Sequence, residues 1–264
     1  MPHKYIIYIL CEAYLKYMNM EKTIIITGAS KRIGAYLCEQ FAIRNYNVVI
    51  HYNLSKSNAE ELLKHIVVLN PNIKVILVKA DLRQEKEIIN MFNIIKESFS
   101  NIDILVNNVG IFPKKMQIEE IDSEKWDDIF NINLRSHMLV SREFKKYAKA
   151  NNAKIINFSS LGGREIWKNH ILYNVSKAAV ITLTESLARE LAPNIAVNCI
   201  CPGIVKLSKD EIFYVEEKNI PMRRYASKED IFEAVYFFAS CSNYITGQIL
   251  TIDGGMHLAK KTMN

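Results

Sequence analysis

Seven short runs rich in Ile and Val, at 23–27, 47–52, 73–78, 102–107, 154–159, 195–200 and 247–252, punctuate the chain. Their apolar residues are near-continuous rather than alternating. A strand made from such a run needs cover on both faces, which is the condition of a parallel sheet. Between the runs, at 35–44, 59–69, 85–99, 124–148, 172–191 and 228–239, apolar residues fall three and four apart, the period of a helix with one face inward. This alternation predicts an α/β fold, a doubly wound parallel sheet of the Rossmann type with crossover helices. Ligands of such sheets gather beyond the carboxyl ends of the strands, so functional residues are expected just after the runs.

At 264 residues and 49% apolar content the chain can bury one large core, and no linker or low-complexity tract divides it, so a single domain is expected. The formal charge of +6 is dispersed among mixed-sign clusters, and the pair Lys260 and Lys261 is too short for a nucleic-acid arm. A small anionic ligand accounts for this basicity, and nucleic acid is not an expected partner. The five cysteines are scattered with no Cys-x-x-Cys spacing, which predicts a reducing, cytoplasmic setting. Cys199 and Cys201 are read as small buried residues on one strand face. The six histidines show no metal-ligand spacing, and no metal is expected. Near the start, "YIIYILCEAYL" contains Glu12 and is too short to span a bilayer, so no membrane association is expected. Because "MEKTIIITG" at Met20 reads like a domain start, residues 1–20 are taken as an extension, either a docking helix or the product of an upstream start codon, and 21–264 as the domain.

The first run ends at Thr27, turns through Gly28, Ala29 and Ser30, and enters a helix near Ile33 and Gly34. A glycine turn opening a helix lets a diphosphate approach the free N–H groups and the positive end of the helix dipole. Arg32 stands where such turns commonly carry a second glycine. After the second run, His51, Tyr52, Asn53, Leu54 and Ser55 include no acid to bind a ribose 2′-hydroxyl or repel a 2′-phosphate. Arg32 and Ser55, with His51 and Asn53 beside them, suit that phosphate through charge-assisted hydrogen bonds, which predicts NADP(H). The alternative for Arg32 is a solvated surface residue. Asp81 is placed either to accept from an adenine amino group or to cap the helix beginning near Gln84. The adjacent amides Asn107 and Asn108 are placed both to cross-link neighbouring turns and to line the cofactor. Ser160 lies thirteen residues before Tyr173, and Tyr173 four before Lys177 on a helical pattern, which puts Tyr173 and Lys177 on one helix face. A nearby ammonium is expected to lower the phenol's pKa and ready it as a general acid.

These residues resemble the short-chain dehydrogenase/reductase family. "TGASKRIG", "NNVG", Asn133 in "NINL", Ser160, "YNVSK", "CPG" and "YITGQILTIDGG" occur in its order over about 21–258. The resemblance implies an enzyme in which Tyr173 protonates a carbonyl or imine, Ser160 orients the substrate, Lys177 holds the nicotinamide ribose, and Asn133 positions a relay water. It implies that Leu82, Asn108, Val109, Gly110, Pro202, Gly203 and Ile204 join Gly28, Ser30, Arg32, Ile33 and Gly34 along the cofactor. It also implies a substrate lid near 204–223 and a homotetramer. Within the family, the Arg-bearing turn, "HYNLSKSNAEEL" and "ARELAPNIAVN" are similar to pteridine and dihydromonapterin reductases, which place an aromatic where Phe112 stands. That likeness implies an NADPH-dependent reduction of dihydropterin to tetrahydropterin, with Phe112 stacking the pterin; the alternative for Phe112 is an ordinary apolar loop residue. Ser160 is equally the residue of 3-oxoacyl-carrier-protein reductases, so that or another carbonyl reduction is the alternative. A catalytically idle NADP-binding protein is a distant third, since both Tyr173 and Lys177 are present.

Overall fold

The computed structural model describes residues 22–148, 152–208, 211, 213 and 215–259, and the expected extension lies outside them. The strands are β1 (Thr23–Ile26), β2 (Asn47–Tyr52), β3 (Val75–Lys79), β4 (Ile104–Asn107), β5 (Ala153–Phe158), β6 (Ile195–Pro202) and β7 (Ile249–Ile252). They form one parallel sheet in the order β3-β2-β1-β4-β5-β6-β7. Strands are added outward from β1 on one side and from β4 on the other. The crevice for a ligand therefore opens where β1 meets β4.

Every residue of β1, β2, β4, β5 and β6 is buried, as their unbroken Ile/Val runs require, whereas the edge strands β3 and β7 are only partly covered. The helices are α1 (Arg32–Ile43), α2 (Lys56–Leu69), α3 (Glu85–Ser98), α4 (Ser123–Phe130), α5 (Ser136–Tyr147), α6 (Ile171–Leu191) and α7 (Lys228–Ser240). Alternate strand residues feed two cores. Ile24 and Ile26 pack with Phe41 of α1, Ile66 of α2 and Phe238 of α7. Ile25 faces the other way, towards Phe92 of α3, Phe144 of α5 and Leu191 of α6. Burying each such side chain contributes roughly 1.5–3 kcal/mol, so the strand period of two holds both helical layers.

The single helix expected over 124–148 is two helices joined by a π turn at Asn131–Arg135. One extra residue in that turn re-aims the side chains that follow it, and Asn133 sits inside it. Cys199 and Cys201 are buried on one face of β6, as expected, and pack with Val180 of α6.

Candidate active site

The turn after β1 is held from below. Gly28 has φ 62° and donates its N–H to His51 Nδ1 at 2.9 Å, while His51 Nε2 lies 3.0 Å from the Ala80 carbonyl. Those two bonds fix the tautomer, with Nδ1 accepting and Nε2 carrying the proton. The ring is 2% exposed and burial pushes its pKa down to about 4. His51 therefore departs from the expectation of a side chain beside a 2′-phosphate: it staples the first turn to the loop after β3. Gly34 is compelled by packing, since a Cβ there would meet the Gly28 carbonyl oxygen at 2.5 Å. Arg32 has φ 57°, the left-handed region that explains why glycine is common at this place in such turns. Its guanidinium, 69% exposed, lies 3.4 Å from Glu211. The first turn of α1 holds no acidic residue, leaving its N–H groups to an anion.

The carboxylate of Asp81 accepts from its neighbour Arg83, at 3.1 Å from the backbone N–H and 3.3 Å from the guanidinium, so it does not cap α3; Gln84 stands at that N-terminus. The Leu82 side chain points into the core, only 3% exposed, which leaves its backbone alone for a ligand. Asn107 Nδ2 bonds Ser141 and Asn157 within the fold, whereas Asn108 Nδ2 donates to the carbonyls of Thr27 and Gly28 and braces the glycine turn. Asn133, fully buried, spends its side chain on structure: Oδ1 accepts from Ile111 N–H at 2.7 Å and Nδ2 donates to the Ile111 carbonyl and to Ser176 Oγ. It ties the loop after β4 to the helix of Tyr173.

Ser160, Tyr173 and Lys177 converge at the end of β5. Ser160 Oγ accepts from Gly162 N–H at 3.1 Å and stands near enough to the Tyr173 hydroxyl to draw its pKa down. The expectation that Lys177 lowers the phenol's pKa is not met. Burial pushes Tyr173 up, with the Ser160 hydroxyl pulling the other way. The Lys177 ammonium is turned to the Phe158 carbonyl at 2.9 Å, and burial brings it down to about 8.

Two aromatic residues that no periodicity or spacing reveals complete this corner. The ring of Phe112 stands perpendicular to Tyr173 at 4.6 Å and stacks on His170 at 4.9 Å, and Trp167 lies parallel to Tyr173 at 6.1 Å. A Cβ on Gly162 would meet Trp167 at 2.9 Å and Tyr173 at 3.0 Å. Gly162, two residues after Ser160, is the sequence signal that something large packs there, while Gly163 lets the loop lie against the Lys177 backbone.

One cleft of about 1420 Å³ joins these parts. Its wall includes Gly28, Arg32, Ile33 and Gly34 of the turn, Asn108, Val109, Gly110 and Phe112 after β4, the Ser160, Tyr173 and Lys177 group, and Pro202, Gly203 and Ile204 after β6. Ser30, Asn53 and Ser55 are not part of that wall, although the Ser55 hydroxyl makes no capping bond to α2. From the segment expected as a lid, Leu207, Phe213 and Val215 reach the cleft. These residues fit a dinucleotide: an acid-free helix N-terminus beside a left-handed glycine, and at Gly110 a surface so close that a Cβ would lie 2.9 Å from Lys177 Nζ. Among the described residues no group of three or more His, Cys, Asp and Glu side chains could hold a metal, and no helix is long and apolar enough to cross a membrane.

The profile of a family described as enoyl-(acyl carrier protein) reductase matches residues 28–257. Over 249 residues the chain is 32% identical to the 3-oxoacyl-(acyl-carrier-protein) reductase FabG of Staphylococcus aureus, an alignment spanning 91% of this chain and 100% of that one. A short-chain dehydrogenase/reductase from Serratia marcescens has a similar structure, with a TM-score of 0.82 at 29% identity over 89% of this chain and 97% of its own. A short chain dehydrogenase from Burkholderia cenocepacia, solved in complex with NADP, gives 0.81 at 27% identity over 90% and 98%.

Proposed function

Since the chain belongs to the short-chain dehydrogenase/reductase family and is thereby an NAD(P)-dependent oxidoreductase, we propose that it is an NADPH-dependent reductase whose substrate is a flat conjugated ring of the dihydropterin type. The observation that carries the substrate class is Phe112, which stays 58% exposed in the cleft wall with its ring centroid 4.6 Å from that of Tyr173. A flat ring laid on Phe112 gains roughly 0.5–1.5 kcal/mol of stacking beyond burial and is brought beside the phenol. The preference for NADPH rests on Arg32 and on the absence of any acid in the stretch from His51 to Ser55.

When bound, the nicotinamide supplies the hydride. Tyr173 supplies the proton: its raised pKa keeps the phenol protonated at neutral pH until negative charge develops on the substrate atom facing it. Ser160 accepts from Gly162 N–H, which leaves its own proton to donate, and it lines the cleft beside Tyr173, so its hydroxyl serves the same substrate atom as the phenol. Lys177, anchored on Phe158, sets a positive charge beneath the ribose position. Asn133 acts as a positioning residue, holding the Ile111 loop to Ser176, three residues past Tyr173. Phe158 and Trp167 help exclude water from this corner. The partly exposed edge strand β7, with Leu250 at 38%, supports the homotetramer expected for such a chain.

A second reading, reduction of a 3-oxoacyl thioester, is favoured by the full-length 32% identity to a reductase of that class and by Ser160. Oxidation of NADPH followed side by side with dihydrobiopterin, dihydromonapterin and an acetoacetyl thioester decides between them. Turnover with the pterins is expected; turnover with the thioester alone would replace the pterin reading by the second.

A further inference from the structure

Glu211 belongs to the segment after β6, yet its Oε1 lies 3.4 Å from Arg32 Nη2 across 179 positions of sequence. This carboxylate is placed by its own loop. Oε2 accepts from Leu207 N–H at 2.7 Å and from Ser208 N–H at 3.4 Å, and the side chain is 25% exposed against 69% for Arg32. The exposed guanidinium thus meets a carboxylate that is held in position before any ligand arrives. Arg32 also lines the cleft at the glycine turn.

We propose that Glu211 is a specificity-determining residue of the nucleotide site, an internal carboxylate that competes with a ribose 2′-phosphate for Arg32. The inference rests on the reading of Arg32 as the residue that meets that phosphate. A dianionic phosphate displaces a singly charged carboxylate from a guanidinium, with which it forms stronger charge-assisted bonds, whereas a neutral 2′-hydroxyl does not. Glu211 therefore lowers the affinity for 2′-phosphorylated nucleotides and leaves that for unphosphorylated ones unchanged.

The test uses 2′,5′-ADP and 5′-AMP, which differ in the phosphate at issue, with dissociation constants measured by calorimetry on the full chain. Glu211→Gln keeps the side chain's shape and its bond to Leu207 N–H, and is expected to tighten 2′,5′-ADP by about two- to fivefold, the worth of one exposed ion pair, with 5′-AMP unchanged. Glu211→Asp, which keeps the charge but withdraws it, gives an intermediate gain. In an Arg32→Ala background the gain disappears. Should Arg32→Ala weaken 2′,5′-ADP alone while Glu211→Gln changes nothing, the competition is overturned and the reading of Arg32 stands. Equal losses for both nucleotides in Arg32→Ala overturn both. A gain from Glu211→Gln that appears for both nucleotides, or that survives in Arg32→Ala, means general charge repulsion and also overturns the proposal.

Discussion

Burial acts in opposite directions on two titratable side chains one turn apart in α6: it pushes the Tyr173 phenol up and the Lys177 ammonium down to about 8. The proton donor thus stays loaded across neutral pH, and the first group to lose its charge as pH rises is Lys177. Reduction is expected to show an alkaline limb near pH 8 set by Lys177, checked by the pH profile of kcat/KM. Replacing Tyr173 by Phe removes the proton and little volume. It should cut turnover by roughly 10²–10⁴-fold with the NADPH dissociation constant little changed; near-normal turnover would remove Tyr173 from the proposed mechanism. Phe112→Ala tests the substrate. Loss of a stacking face worth about 1 kcal/mol should raise KM for a dihydropterin several-fold and spare a small flexible ketone, whereas a uniform fall would make Phe112 a support of its loop and favour the thioester reading. The pairing of Tyr173 with Lys177 on one helix face was legible from their spacing, while Ser160 joined them through its place after the fifth run and the family resemblance. Trp167 and His170 were not, because they lie in an aperiodic loop whose course is set by what packs on Gly162.

At the scale of elements, the runs of Ile and Val locate all seven strands to within about two residues, because the five inner strands are buried on both faces and the partly covered edge strands β3 and β7 keep the same Ile/Val composition. Helix starts were less visible. α2 begins at Lys56, three residues before Ala59, the first apolar position that announces it, since an exposed first turn carries no periodic signal, whereas α1 begins at Arg32, one residue from the expected entry at Ile33. The π turn at Asn131–Arg135 has no sequence mark at all; its apolar spacing reads as continuous helix, and only tertiary contact selects the extra residue. That turn is what lets Asn133 reach Ile111 and Ser176. Asn133→Ala leaves the Ile111 N–H and carbonyl without their side-chain partner, and should destabilise the fold by about 1–3 kcal/mol in urea unfolding. Because the same bonds place the Tyr173 helix against the loop after β4, kcat should fall more than KM rises. A variant with lost stability but unchanged kcat would confine Asn133 to structure.

For the whole molecule, the carboxyl end of the sheet is held by two buried neutral histidines, and this couples the stability of the fold to the integrity of the cleft. His51 bridges Gly28 and Ala80, and His137 bonds the Val109 carbonyl at 2.9 Å, so both fasten loops that line or underlie the crevice. Burial pushes His51 to about 4, against the pull of the Ala80 carbonyl and Asp81, and His137 to about 3, with the Lys177 charge adding to burial. Both folded values lie below the ordinary 6.5. Between that value and pH 4 the unfolded chain takes up protons that the folded chain refuses, so the stabilisation is complete above pH 6.5 and is lost as pH falls. At 1.36 kcal/mol per unit, His51 alone accounts for about 3 kcal/mol over that window. Carboxylates held low by their partners, such as Asp253 and Glu143, add to the loss only from about one pH unit above their ordinary values of 3.8 and 4.5 downward. Urea unfolding at pH 7.5, 6.5, 6.0 and 5.5 therefore isolates the histidines, and the unfolding free energy should decline steadily from the second of these points. His51→Gln, whose amide is able to bond both Gly28 and Ala80, should shallow that decline and retain most of the stability at pH 7.5. A variant that kept the full slope would place the acid sensitivity elsewhere.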